Sequence, residues 1–197
     1  MTDVAIIDNG GANIASLRFA LDRLGADAQL TRDPVALREA PRVILPGVGA
    51  AGDAMQRLRA LGLAEIIPQL RQPVLGICPG MQLLFAASEE GDTACLGIIP
   101  ARATRFADRP GFPVPHMGWN QVRCGDSPLL RGLEDAPWMY FVHSYAVPLG
   151  PWTVGVTDYG GEFSAAVRHG NFHGAQFHPE RSSRTGSRLL ANFLELT

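Results

Sequence analysis

Three short, largely apolar runs, VAII at 4–7, RVIL at 42–45 and VLGIC at 74–78, each end on a glycine-containing turn that leads into a segment with helical spacing. This alternation constrains the fold more than any other feature. Continuous apolar runs of this length suit strands buried on both faces, and strands that alternate with helices build a parallel sheet covered on both sides. After the first run, Asp8-Asn9-Gly10-Gly11 marks a turn and Asn13 is placed to cap a helix. Ile14, Leu17, Leu21 and Leu24 then share one helical face, with Gly25 as a stop. Residues 28–31 read as a further strand, Met55, Leu58 and Leu61 as a second helical stripe, and residues 80–87 as a third helix.

Beyond residue 95 the segments shorten and Gly and Pro multiply. Alternation in FSAAVRHGNFHGAQFH predicts antiparallel strands turning at Gly170-Asn171, and Ser187 to Leu196 reads as a closing helix. The expected fold is α/β: a doubly wound, largely parallel sheet with flanking helices and an antiparallel C-terminal extension. With no repeat or linker in view, residues 1–197 are read as one domain, a length that suits one full-sized core.

Composition narrows the chemistry. A net charge of −2 without a basic cluster gives no reason to expect a nucleic-acid partner. No apolar run approaches the roughly 20 residues needed to span a bilayer. Asp3 precedes the first apolar run and no basic stretch does, unlike a signal peptide. Three cysteines without metal-ligand spacing suit a reduced, cytoplasmic protein. All 17 basic residues are arginine. Without lysine, Schiff-base chemistry, lysine-anchored pyridoxal phosphate and a P-loop are excluded. No cofactor or metal is expected.

Cys78 sits where the third run ends, and ligands of parallel sheets collect at such strand ends. Gly76 and Gly80 flank it, as glycines flank the serine of the G-x-S-x-G elbow. The plain alternative is an inert core cysteine. In QFHPE, His178 and Glu180 stand two apart, so an extended backbone points both to one side. The carboxylate can then fix the imidazole tautomer while the second ring nitrogen serves a thiol. Gly47 and Gly49 in LPGVG leave backbone N–H groups free to face a ligand, or serve only as a strand-to-helix turn.

With these pieces together the chain resembles the class I glutamine amidotransferases. Within them, NGGANIASLRFAL, LPGVGAAGDAM, GICPGMQLLF, HMGWN, YFVHSY and QFHPERSSRTG are similar, in order, to the glutaminase subunits of imidazole glycerol phosphate synthases of histidine biosynthesis. The resemblance implies that Cys78 attacks the side-chain amide of L-glutamine, with His178 as base and acid and Glu180 orienting it. It implies that Gly47, Val48, Gly49, Gln82 and Glu90 hold the substrate, Glu89 being the neighbour that one residue of slip would exchange for Glu90. The main chain of His143, Ser144 and Tyr145 would hold its α-amino and carboxylate ends. Asn13, Trp119, Tyr140 and Arg181 would face a (β/α)8 cyclase that receives the ammonia in a heterodimer. His116, His169 and His173 are given structural places only, and Cys95 and Cys124 none in the chemistry.

Position 79 departs from the pattern. The residue after the nucleophile normally donates its N–H to the oxyanion, and Pro79 has none. Proline suits the first helical turn, so the expected cost is chemical: losing one oxyanion donor slows acyl transfer about 10²–10³-fold. A slower enzyme, a substitute donor from Gly80, Val48 or Gly49, and a silent docking subunit fed by free ammonia are the consequences to distinguish. A γ-glutamyl hydrolase or another amidotransferase is the alternative within enzymes.

Overall fold

The computed structural model describes residues 3–10, 14–47 and 49–197. In chain order the elements are β1 (Val4–Ile7), α1 (Ile14–Asp22), β2 (Ala28–Thr31), α2 (Pro34–Glu39), β3 (Val43–Pro46), α3 (Ala51–Ala60), β4 (Val74–Ile77) and α4 (Pro79–Leu83). Then follow β5 (Phe85–Ser88), β6 (Thr93–Ala94), β7 (Ile99–Arg105), β8 (His116–Gln121), β9 (Arg123–Cys124), β10 (Trp138–His143) and β11 (Tyr145–Ala146). The chain closes with β12 (Thr153–Asp158), β13 (Glu162–His169), β14 (Phe172–Ala175) and α5 (Ser183–Leu194).

The central sheet runs in the order β2-β1-β3-β4-β14-β13-β12-β9. Its half from β2 to β14 is parallel, and β13, β12 and β9 continue it in antiparallel sense. Alternate residues of each parallel strand feed two cores. Val4, Ile6, Ile44, Leu75 and Ile77 pack with Leu17 and Leu21 of α1 and Leu189, Leu190 and Phe193 of α5. Ala5, Ile7, Val43, Leu45 and Val74 pack with Leu37, Met55, Leu58 and Met81 from the helices of the other face. That is the doubly wound arrangement expected, and the reason the runs carry no polar alternation.

Several local readings change. The expected helix over 80–87 stops at Leu83, because Phe85–Ser88 forms β5, pairing in parallel with β7 in a second sheet ordered β11-β7-β5-β6. The short run MQLLFAA suits either period, and a partner strand from elsewhere in the chain decides it. Helix α2 was not anticipated; Asp33 caps it by accepting from the Val35 N–H, and Pro34 opens it. The closing helix begins at Ser183, ahead of Ser187. Strand β8 pairs with β10 as a separate antiparallel ribbon. The expected cap at Asn13 lies outside the described residues. Among the described residues no helix is long and apolar enough to cross a membrane.

Three histidines are buried: His116, His143 and His173. Burial holds all three below the ordinary histidine value, to about 4, about 3 and about 4 respectively. They stay neutral in the fold under conditions where the unfolded chain takes up protons. Because the folded values lie below the unfolded one, their contribution is intact above about pH 6.5 and is lost as the pH falls through that range toward 4. Each histidine adds at most about 1.4 kcal/mol per pH unit to the slope. Urea midpoints measured from about pH 7.5 down to about pH 4.5 should fall steeply below about 6.5. A flat profile would contradict neutral burial.

Candidate active site

The carboxyl ends of β1, β3, β4 and β14 lie side by side, and the candidate residues sit just beyond them. Cys78 follows β4, its N–H donating to the Ala175 carbonyl at 2.7 Å. It has φ 54° and ψ −114°, and Pro79 begins α4 immediately after it. A positive φ at a residue with a side chain costs on the order of 1–3 kcal/mol and persists only where its surroundings enforce it. Here they do. A Cβ on Gly76 would come within 2.6 Å of the Gly80 carbonyl oxygen, and one on Gly80 would collide with the Leu45 carbonyl. The two glycines around Cys78 are therefore the condition for helix and strands to close on each other at the elbow.

His178 Nδ1 and Glu180 Oε1 are 2.9 Å apart. The carboxylate can only accept, so Nδ1 carries the proton and the other ring nitrogen is left for the Cys78 side chain. Burial works against a charged ring, but the hydrogen bonds and charges of Cys78 and Glu180 outweigh it and hold His178 well above the ordinary histidine value. Glu180 is almost wholly buried, its second carboxylate oxygen without a partner among the described residues. A sulfur, an imidazole and an orienting carboxylate in series can activate a nucleophile and return its proton to a leaving group.

A second polar chain meets the sulfur from beneath. The Tyr145 carbonyl accepts from His143 Nδ1 at 2.7 Å and from Gln82 Nε2 at 2.8 Å. Because a carbonyl only accepts, both amide and ring orientations follow. His143 must present a bare Nε2, so His116 Nδ1, 3.0 Å away, donates to it, and the Asn120 amide donates to the remaining His116 nitrogen at 3.4 Å. On the other arm, Gln82 Nε2 also donates to Gln176 Oε1 at 2.9 Å. Gln176 Nε2 is thereby turned toward Cys78 Sγ, at 3.8 Å.

The residues expected to hold substrate divide. Glu90 accepts the Ala51 N–H at 2.7 Å at the start of α3, beside the Gly49 turn, whereas Glu89 reaches away to the Arg105 N–H at 2.6 Å. That favours Glu90 over its neighbour. Gly47 packs directly on the Pro79 ring, and Gly49 is exposed with φ 71°. Val48 lies outside the described residues. The Ser144 and Tyr145 carbonyls are already engaged, by the Phe106 N–H and by the two side chains above. His143 itself is the cross-strand partner of His116 on the β8–β10 ribbon. Gln82 spends both amide hydrogens inside the protein.

Trp119 and Tyr140 are cross-strand partners on the β8–β10 ribbon, edge to face with centroids 5.8 Å apart, and the Arg181 guanidinium lies 4.6 Å over the Tyr140 ring. Met117 and Trp138 are exposed on the same ribbon. Such an apolar patch around an arginine has the make-up of a protein-binding face. Asn13 lies outside the described residues. Two buried residues went unnoticed in the sequence. Gln176 precedes His178 by two, a spacing that points both the same way. Ser182 Oγ donates to the His178 carbonyl at 2.7 Å and accepts the Tyr140 N–H at 3.0 Å, tying this face to the histidine segment. Among the described residues no three His, Cys, Asp or Glu side chains gather as a metal would require.

Comparison with known proteins agrees with this geometry. The family model described as glutamine amidotransferase class-I matches residues 5–196. The chain is 57% identical to imidazole glycerol phosphate synthase subunit HisH of Xanthomonas axonopodis pv. citri, covering 100% of this chain and 99% of that one. It is 54% identical to the HisH subunit of Xylella fastidiosa, covering 100% and 98%. Among solved structures, a glutamine amidotransferase superposes with a TM-score of 0.75 at 21% identity over 98% and 97% of the two chains. PurLQS from Thermotoga maritima gives 0.74 at 20% identity over 97% and 96%. These structural likenesses speak for the fold; the match of the family model and the full-length relatives speak for kinship. The chain belongs to the class I glutamine amidotransferase family.

Proposed function

We propose that this chain is the glutaminase subunit of an imidazole glycerol phosphate synthase. Full-length similarity to HisH subunits carries the reading, and the Cys78–His178–Glu180 arrangement supports its chemistry. Cys78 sulfur attacks the side-chain carbonyl carbon of L-glutamine. The electron pair moves to oxygen and returns as the C–N bond breaks. His178 gives the proton that lets ammonia leave, and a γ-glutamyl thioester remains. Water, deprotonated by His178, then releases glutamate and restores the thiol. Glu180 keeps the imidazole in one tautomer throughout. Gly47, Val48, Gly49, Gln82 and Glu90 surround the bound glutamine.

Ammonia freed into water is protonated and loses its lone pair, so it needs a closed route to its acceptor. The ribbon face of Trp119 and Tyr140, with Arg181 and Asn13, receives a (β/α)8 cyclase in a cytoplasmic heterodimer that uses the ammonia. The His178 N–H donates to the Tyr140 carbonyl at 2.9 Å, so the docking face and the general base share backbone hydrogen bonds. This supports a glutaminase whose turnover depends on its partner.

Pro79 keeps a second reading in play, that of a docking subunit without glutamine hydrolysis. The Gly80 nitrogen is no easy substitute donor, because Gly80 is buried and its nitrogen is pressed against Gly47. The 47–49 segment is then the source of oxyanion donors. Pro79 packs on Gly47, the first residue of that segment.

Three measurements test the proposal. A glutamine-analogue electrophile should label Cys78; labelling at Cys95 or Cys124 instead would refute the nucleophile assignment. Adding the cyclase should raise glutamine turnover, and Trp119→Ala or Arg181→Ala should weaken that response; full activity without the partner would point to a hydrolase. Pro79→Leu restores an N–H, so the ratio of glutamine-dependent to ammonia-dependent cyclisation should rise by up to about 10²-fold. A flat ratio would mean that the 47–49 segment already supplies the missing donor. A fall would mean that the proline holds the elbow together.

A further inference from the structure

We infer that Gln176 is a third partner of the Cys78 sulfur: its side-chain amide donates a hydrogen bond that holds the thiolate in place for attack and receives it again as leaving group. The inference rests on the glutaminase reading above. Among the described residues three groups act on the sulfur. Besides His178, they are the Val142 carbonyl at 3.6 Å and Gln176 Nε2 at 3.8 Å, both distances within hydrogen-bond reach of sulfur. The carbonyl welcomes an S–H but repels S⁻. Cys78 is almost fully buried, so water gives the anion little help. A buried thiolate beside a carbonyl oxygen needs a fixed donor to offset it. Gln176, wholly buried, supplies one.

Its orientation is forced. The Tyr145 carbonyl compels Gln82 to present its amide nitrogen, whose second hydrogen goes to Gln176 Oε1. Flipping the Gln176 amide would set two buried NH₂ groups against each other and an oxygen lone pair against the sulfur. The N–H aimed at Cys78 is thus preorganised, the condition under which a donor helps at the moment of reaction. Gln176 and His178 reach the sulfur from consecutive same-side positions after β14, the strand paired beside β4. On attack, the sulfur electron pair becomes the S–C bond and the Gln176 bond weakens. When the thioester breaks, the pair returns to sulfur and the bond re-forms.

The test is the pH dependence of Cys78 alkylation by iodoacetamide, read by mass spectrometry on the intact protein, alongside turnover by the assembled synthase. Gln176→Met removes the donor and keeps an apolar chain of similar length. It should slow Cys78 labelling near neutrality by about tenfold. Glutamine-dependent turnover should fall by about the same factor, while ammonia-dependent cyclisation holds. Should Gln176→Met fail to fold, Gln176→Glu decides: it keeps the heavy-atom shape, and once ionised presents only oxygen to the sulfur, so labelling at alkaline pH must slow. A purely structural role would lower stability without moving the profile. If the wild type reacts at Cys78 and releases ammonia, but the folded variants keep the wild-type profile, the role of Gln176 is refuted and the glutaminase reading stands. If the wild type releases no ammonia from glutamine, the glutaminase reading fails and this inference falls with it.

Discussion

The approach of the Gly80 backbone to the Leu45 carbonyl is the contact on which the rest of the site depends. It draws α4 onto the ends of β3 and β4, and no side chain fits between them. Once that contact is made, Cys78 has little choice but its positive φ, and its sulfur meets whatever the neighbouring strand ends supply. The chain just beyond β14 supplies Gln176 and, after Phe177, His178. The end of β10 supplies the Val142 carbonyl and the start of β11 that of Tyr145. The meeting of Cys78 with Gln176 and His178 is thus a consequence of parallel strand order: β14, late in the chain, pairs directly with β4.

Around that centre the polar groups form a directional chain with one origin. The Tyr145 carbonyl fixes two glutamine amides on one side and two imidazole tautomers on the other. Buried networks of this kind are costly when incomplete and restrictive when complete. Here completeness explains why His116 and His143 are held below the ordinary histidine value so close to His178, which is held above it. Each of the first two has both nitrogens satisfied in the neutral form, and burial penalises any added proton. His178 instead faces a carboxylate and a sulfur, both of which favour its charge.

How much of this was legible in the sequence follows from range. The G-x-C-x-G elbow and the H-P-E pair are local, so spacing alone indicates where Cys78, His178 and Glu180 point. The apolar strands announce the parallel half of the sheet for the same reason. The run after Met81 does not announce β5, because its strand character comes from pairing with Ile99–Arg105, a contact no local pattern encodes. The resemblance gives Gln82 as a substrate contact but says nothing of where its amide hydrogens go, which is to partners far along the chain, Tyr145 and Gln176. Gln176 itself carries a signal that could have been used: the same two-residue spacing that linked His178 to Glu180 also links it to His178. Spacing indicates direction but not partner, and the partner here is a sulfur on another strand.

Pro79 joins these levels. Locally it is well suited to the first turn of α4 and keeps Cys78 out of the α region, so the elbow gains rather than loses from it. Its ring also packs on Gly47, the first residue of the segment proposed above as the source of the remaining oxyanion donors. The substitution that removes one donor therefore also touches the backbone proposed to replace it. A leucine there would free an N–H and loosen that packing in one stroke. Stability of the elbow and stabilisation of the oxyanion are then opposing demands on one residue, and the sulfur's own donors, His178 and Gln176, lie outside that conflict because they come from just beyond the strand on the other side of β4.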